Sequence, residues 1–367
     1  MKLGIIGLPN AGKSTLFNAL TNANIPAENY PFCTIEPNTG IVHVPDHRLP
    51  ELQKIYNAQK IVPAVVNFVD IAGLVKGASK NEGLGNKFLT HIREVDAIIH
   101  IIRCFKDNNV IHVDGSIDPL RDIETINTEL ILADIQSLEK QKEKAEKSMR
   151  VTNDKESKEK IDLINKLLNF LNTGKQAKLF IDSIDDKNNL INDFFLLTAK
   201  PIIYVANLDE GDLNQDFSKN IYFNKINELA KKENTEVIPI SVKIENEITQ
   251  LDEKEKKDFL EMLGFTKTGL ERLILASYKL LDLISYYSGN EKEVRAWTIK
   301  KDTKAPQAAG KIHTDFEKGF IKAEVIHYND LIKCGSFHIA REEGKIRTEG
   351  KDYIIQENDV VFFKFNV

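Results

Sequence analysis

Cysteine is scarce in this chain: Cys33, Cys104 and Cys334 are the three in 367 residues. None sits in a CxxC pair, and an odd, scattered set is neither a disulfide framework nor a zinc site. They read as reduced thiols of a cytosolic protein. Also missing is any run of about 18 apolar residues, the length a membrane-spanning helix needs. The start, Met1–Gly7, lacks the long apolar region and small-residue cleavage site of a signal peptide. The expectation is a cytoplasmic chain with no membrane partner. No strong excess of one charge is present either, the formal net charge being −5. Total charge therefore does not force a nucleic-acid partner, although a local basic face stays open. No internal repeat is visible. What the chain does have is 42% apolar residues, the composition of globular domains. Its length exceeds the ~250–300 residues at which single cores stop growing, so two or three domains are expected.

Residues 2 to about 118 alternate strand-like and helix-like segments. Lys2–Ile6, Val65–Asp70 and Ala97–Arg103 are short apolar runs rich in Val and Ile, and Lys13–Leu20 opens a helix. That pattern predicts a parallel-rich sheet covered on both faces, an α/β fold. Apolar residues then recur at helical spacing at Ile123, Ile126, Leu130 and Ala133, and again at Ile161, Ile164, Leu168 and Leu171. The charged stretch Glu139–Lys160 lies between them. The reading is an antiparallel helical hairpin with a polar turn and a solvated charged face. Strand-like runs return at Pro201–Asn207 and Glu236–Ser241, so the hairpin is an insertion in one α/β domain. From about Leu283 short runs such as Val294–Ile299, Phe320–His327 and Val360–Phe365 predict a small, separate α+β domain.

The most specific signal is Gly7-Leu8-Pro9-Asn10-Ala11-Gly12-Lys13-Ser14-Thr15. It follows a strand and opens a helix, the context that distinguishes a P-loop from a chance match. The two glycines permit tight backbone geometry and close approach to phosphate. The amides of Asn10, Ala11, Gly12, Lys13, Ser14 and Thr15 point at the phosphates from a helix N-terminus. Lys13 reaches the β/γ oxygens as the catalytic cation, and the Ser14 hydroxyl is a ligand for Mg²⁺. Asp70, at a strand end in Asp70-Ile71-Ala72-Gly73, suits a carboxylate holding Mg²⁺, with the Gly73 amide facing the γ-phosphate. Thr34 is the candidate second hydroxyl ligand. Gly77, Gly83 and Gly85 read as a loop that orders on the γ-phosphate.

The base is less plain. A guanine site usually carries Asn-Lys-x-Asp after a later strand, whereas here the strand ends in Asn207-Leu208-Asp209-Glu210. Lys is replaced by Leu208, Glu210 carries an extra methylene, and Asp209 is out of register by one. ATP is therefore favoured over GTP, with Asn207, Leu208 and Glu210 as the base-site candidates. Ser241-Val242-Lys243 is a weaker candidate for the loop closing over the base. Leu74 stands where many GTPases place a water-orienting Gln, which predicts slow hydrolysis or help from elsewhere. His112 is a candidate catalytic group, weighed against an ordinary structural histidine. Asn10 is a candidate ligand for K⁺ bridging the phosphates.

Taken together, the P-loop string, Asn29–Asn38 (NYPFCTIEPN), Asp70–Gly85 (DIAGLVKGASKNEGLG), Asn207–Glu210, Lys292–Thr298 (KEVRAWT) and Ala305–Phe320 (APQAAGKIHTDFEKGF) resemble the YchF-type Obg-like ATPases from end to end. The resemblance implies a G domain at 1–122 and 197–282, a helical coiled-coil insertion at 123–196, and a C-terminal TGS-type domain with a β-grasp, ubiquitin-like fold at 283–367. It implies ATP hydrolysis in preference to GTP and an association with ribosomes and stress responses. It also implies phosphate binding by Asn10–Thr15, Mg²⁺ binding by Ser14 and Thr34, and an adenine contact through the backbone of Leu208. Ala11 stands where many relatives have Val, which a backbone-only cradle tolerates.

Two functions follow. One is a slow ATP hydrolase acting as a molecular switch. The other is an RNA- or ribosome-binding module in which hydrolysis only times release, or a GTP-specific switch on the same scaffold. For RNA the tail offers Arg295, Lys300, Lys301, Lys304, Lys311, His313, Lys318 and Lys322, offset by acidic neighbours in the same tail.

Overall fold

The structure, a computed structural model, describes residues 1–22, 38–72, 84–106, 116–152, 155–184, 190–214 and 217–366. In chain order the elements begin β1 (Lys2–Ile6), α1 (Lys13–Asn22), β2 (Thr39–His43), α2 (Arg48–Tyr56), β3 (Lys60–Val62), β4 (Val65–Asp70), α3 (Leu84–Glu94) and β5 (Ala97–Arg103). Then come α4 (Pro119–Thr152), α5 (Lys155–Leu171), α6 (Ala177–Ile181), β6 (Ile202–Asn207), α7 (Glu210–Asn214), α8 (Ile221–Lys232), β7 (Glu236–Ile240), α9 (Val242–Ile248), α10 (Glu253–Met262) and α11 (Gly269–Leu280). The chain closes with β8 (Leu283–Gly289), β9 (Glu293–Lys300), α12 (Ala305–Ile312), α13 (Thr314–Lys318), β10 (Phe320–His327), α14 (Tyr328–Cys334), α15 (Phe337–Glu342), β11 (Arg347–Glu349) and β12 (Asp359–Phe365). The chain divides into two compact units, Met1–Gly40 with Asn67–Arg272, and Ile41–Val66 with Leu273–Val367.

The first unit is built on the sheet β2-β4-β1-β5-β6-β7. β1 pairs in parallel with β4 and β5, β5 with β6, and β6 with β7. β5 and β6 are buried at every position, and β1 at all but Lys2. That explains their unbroken apolar sequence, since helices cover both faces. Ile6, Ile98, Ile102, Tyr204 and Ala206 pack into one core with Phe88, Ile123, Ile126 and Ile226 from the covering helices.

The helical hairpin is present as α4 and α5, and its apolar positions Ile123, Ile126, Leu130, Ala133 and Ile164 are all buried. α4 runs 34 residues, so the charged stretch Glu139–Lys160 is largely helical, as the solvated-face reading expects, and what lies between the helices is shorter than that stretch. Lys, Glu, Gln and Ala are strong helix formers, and pairs such as Lys142–Glu146 and Lys155–Glu159 add i,i+4 support. The hairpin is fastened to the chain that returns to β6 by Asp134. Its buried carboxylate accepts from the amides of Leu197 and Thr198 at 2.7 and 2.9 Å and from the Thr198 hydroxyl at 2.7 Å.

The second unit is the sheet β11-β10-β12-β8-β9-β3. An antiparallel hairpin β8–β9 is followed by α12, and β12 enters parallel to β8 and antiparallel to β10. The order β9-β8-β12-β10-β11 with a helix after the first hairpin is a β-grasp arrangement. Its core joins Tyr286, Ile299, Ala305, Ala308, Ala309, Val325 and Phe363. The expected G-domain limit of 1–122 does not match this division, because residues 41–66 lie in the second unit. The cause is concrete. β3 pairs in parallel with β9 from Lys60↔Glu293 to Val62↔Arg295. Asp46 accepts from the Tyr287 hydroxyl at 2.6 Å, Arg48 donates to Asn358, and Tyr328 donates to Glu51 on α2.

Candidate nucleotide site

The loop between β1 and α1 lies at the carboxyl ends of parallel strands, where α/β sheets bind ligands. Asn10 adopts φ 65° and Gly12 φ 99°. Asn tolerates the left-handed region better than most side-chain-bearing residues. Gly12 is constrained twice, since a Cβ there would also lie 2.5 Å from Asn207 Nδ2. Gly7 is constrained by close approach alone, with a Cβ falling 2.7 Å from the carbonyl oxygen of Ile101. The turn is held by Ala11 N–H donating to Leu8 at 3.3 Å, and α1 starts with Leu16 N–H donating to Gly12 at 2.9 Å. Leu16 and Leu20 anchor the helix in the core, while Ser14 and Thr15 stay exposed at its start.

Three of the predicted site residues converge. Lys13 Nζ forms an ion pair with Asp70 Oδ1, and Ser14 Oγ donates to Asp70 Oδ2 at 3.3 Å. The sheet brings them together, because β1 and β4 are neighbours with Ile5 opposite Asp70. A hydroxyl and a carboxylate this close are hard oxygen donors of the kind Mg²⁺ takes, usually with only one or two carboxylates and the remaining positions filled by phosphate and water. Among the described residues no cluster of three or more His, Cys, Asp or Glu forms a separate metal site.

The base-site candidates are placed differently from one another. Asn207 is buried at the end of β6. Its Nδ2 donates to the carbonyl of Ala11 at 2.9 Å and its Oδ1 accepts from Val242 N–H at 3.2 Å. It braces the phosphate loop against the start of α9, and the second N–H of its amide is not used by either bond. Sequence reasoning missed this role, since nothing in the sequence pairs position 207 with 11. The side chain of Leu208 is buried in the core and its N–H donates to Ile240 at 2.8 Å. Asp209 Oδ1 accepts from Gly211 N–H at 3.1 Å, and exposed Glu210 pairs with Lys243 at 3.3 Å. The weak Ser241–Lys243 signal therefore does mark a segment beside Asn207–Glu210, tied to it twice. Thr34, Gly73, Leu74 and His112, with Gly77 and Gly83, lie outside the described residues, as does Cys33.

Two titratable groups behind the cradle stay neutral. Burial pushes the His100 imidazole on β5 down to about 3, and its ring packs against Tyr204 at 5.8 Å. Burial also pushes the Cys104 thiol up, with Asp122 and Asp212 adding to the effect, which disfavours the reactive thiolate. In the tail, Lys304 pairs with Asp352 at 2.7 Å and Arg295 with Glu293 at 3.1 Å. Part of the expected basic surface is thus matched within the unit.

Residues 2–127 match the sequence family described as 50S ribosome-binding GTPase. Residues 283–366 match the C-terminal domain family of the YchF GTPases, described as a protein of unknown function. The Bacillus subtilis protein named ribosome-binding ATPase YchF is 51% identical over 364 residues, covering 99% of this chain and 99% of that protein. This chain belongs to the YchF family. The YchF protein of Escherichia coli O157:H7 is 49% identical over 366 residues, 100% of this chain and 99% of its own length. The solved YchF GTPase of Schizosaccharomyces pombe superposes with a TM-score of 0.88 at 41% identity, covering 99% of this chain and 97% of that one. Membership and the cradle geometry together make the chain a P-loop nucleoside triphosphatase of YchF type.

Proposed function

We propose that the chain is a slow ATP hydrolase, preferring ATP to GTP, that acts as a nucleotide-dependent switch and binds the ribosome in translation or stress regulation. The observation that carries the reading is the convergence of Lys13, Ser14 and Asp70 at the start of α1. A γ-phosphate at that helix N-terminus competes with Asp70 for the Lys13 ammonium, which frees the carboxylate for Mg²⁺. Asn10–Thr15 hold the phosphates through their amides. Ser14, Asp70 and Thr34 would hold Mg²⁺, which would neutralise charge developing on the phosphates. The Gly73 amide is the candidate for the γ-phosphate, Asn10 is the candidate ligand for K⁺, and His112 is the candidate for orienting water. The ATP preference rests on Leu208 in place of Lys and on the turn taken up by Asp209 and Glu210, neither of which leaves an obvious guanine reader.

The ribosome as partner rests on the relatives, which are named ribosome-binding ATPases. Within this reading the first unit without α4 and α5 is the G domain, the hairpin at 123–196 is its coiled-coil insertion, and 283–367 is a TGS-type domain that contacts RNA. The cytoplasm is the compartment proposed. Among the described residues no helix is long and apolar enough to cross a membrane.

Phosphate release from ATP by the full chain tests the site. Lys13→Ala should lower turnover by at least about 100-fold, the usual loss when a charge-stabilising donor is removed from a transition state. Unchanged turnover would sink the assignment of this loop.

A further inference from the structure

In the sheet of the second unit, β12 and β8 part after one bridge. Their pairing is Val360↔Tyr287, yet β12 continues to Phe365 while β8 ends at Gly289 and turns into β9. A wedge ends the ladder. The ring of Tyr56, the last residue of α2, lies so close to Gly289 that a Cβ there would fall 2.8 Å from it. The Tyr56 hydroxyl hydrogen-bonds the Gly289 backbone, and the ring packs on Phe337 at 4.9 Å. On its other side β12 is paired with β10 along its length, and Asn366 N–H donates to Gly319 at 2.9 Å. Backbone groups alternate sides along a strand. With Asn366 turned toward β10, Phe363 and Phe365 turn their N–H and C=O groups to the side that β8 has left.

Two cavities flank this half-strand, one on each face. Phe362 and Lys364 line the first, about 290 Å³, with Tyr56 and Phe337. Phe363 and Phe365 line the second, about 330 Å³, with Trp297 and Phe316, and Phe362 borders both cavities. Phe362 is 55% exposed. Native sheets usually blunt such apolar edges with charge, proline or a covering element.

We propose that Phe362–Phe365 is a strand-addition site for an extended segment of a protein partner whose alternate side chains are apolar and which carries a carboxylate opposite Lys364. Two features select a strand as the occupant. The open backbone groups repeat at strand spacing, the cavities alternate across the sheet with a period of two residues, and both are what strand addition uses. Charge selects the carboxylate. Arg341 already pairs with Glu324 at 3.2 Å and Arg295 with Glu293 at 3.1 Å. Lys364 lies over the Phe362 ring at 4.1 Å and has no carboxylate partner among the described residues. A single-stranded RNA would stack on the same rings but has no use for an open strand edge.

The test pans a displayed library of short random peptides on the full chain and measures the enriched peptides in solution. They should alternate apolar residues and carry an Asp or Glu. N-methylation of amides of one parity should weaken binding at least about tenfold, the loss of roughly one or two hydrogen bonds, while the other parity should change it less than about twofold. Lys364→Glu should weaken acidic peptides about tenfold, and Phe362→Ser, at an exposed position, should weaken all of them. Equal effects of the two methylation parities would overturn strand addition. So would failure to enrich any peptide, or an oligouridine that binds the chain and is lost in Phe362→Ser while no peptide responds to either variant.

Discussion

Replacing Asn207 by Ala separates two roles that its position allows. The side chain bridges Ala11 C=O and Val242 N–H, at 2.9 and 3.2 Å, from a buried position. Truncation leaves one acceptor and one donor without their partner, each costing about 1–3 kcal/mol when buried. The folded state should lose about 2–4 kcal/mol, read from urea denaturation of the nucleotide-free chain. The phosphate loop also loses its brace, so nucleotide affinity should fall by about tenfold, equivalent to about 1.4 kcal/mol. The decisive quantity is the ratio. A brace acts on phosphates, which ATP and GTP share, so both affinities should fall together and their ratio should stay within about twofold. Direct titration of the variant with each nucleotide measures this. A loss confined to one nucleotide would show that Asn207 reads the base, and the bracing argument would fail.

Two further outcomes follow from buried contacts. Asp134→Ala leaves the amides of Leu197 and Thr198 and the Thr198 hydroxyl without their acceptor. It should cost about 3–5 kcal/mol in denaturant titration, from three buried donors left unsatisfied at about 1–3 kcal/mol each, and a change under about 1 kcal/mol would contradict the anchoring role. Gly12→Ala meets both a φ of 99° and the 2.5 Å approach of Asn207 Nδ2. It should abolish measurable ATP binding in the same titration, and retained affinity would mean that the loop relaxes freely.

Much of the first unit was legible because its signals are local. Strand–GxxxxGKS–helix fixes β1, the loop and α1 within one stretch, and the apolar runs of β4, β5 and β6 match strands at or within one residue of the expected limits. The hairpin was legible in its apolar spacing and in its Lys/Glu run, because both suit an amphipathic helix with a solvated face. The placement of residues 41–66 was not legible at all. It depends on β3 meeting β9 more than 200 residues later, as in Lys60↔Glu293, and on Asp46, Arg48 and Glu51 finding partners in the C-terminal part of the chain. Asn207 was singled out for the base, while its contacts to Ala11 and Val242 were not legible, since they are set by tertiary packing. The open edge of β12 was equally hidden, because it arises from where Tyr56 lands.

The central claim is an ATP-using site on a GTPase scaffold. Titration of the full chain with ATP and with GTP, each with Mg²⁺, tests it most directly. The account predicts that ATP binds more tightly. Tighter binding of GTP would show that Asp209 or Glu210 leaves its present partner to read guanine, and would contradict it.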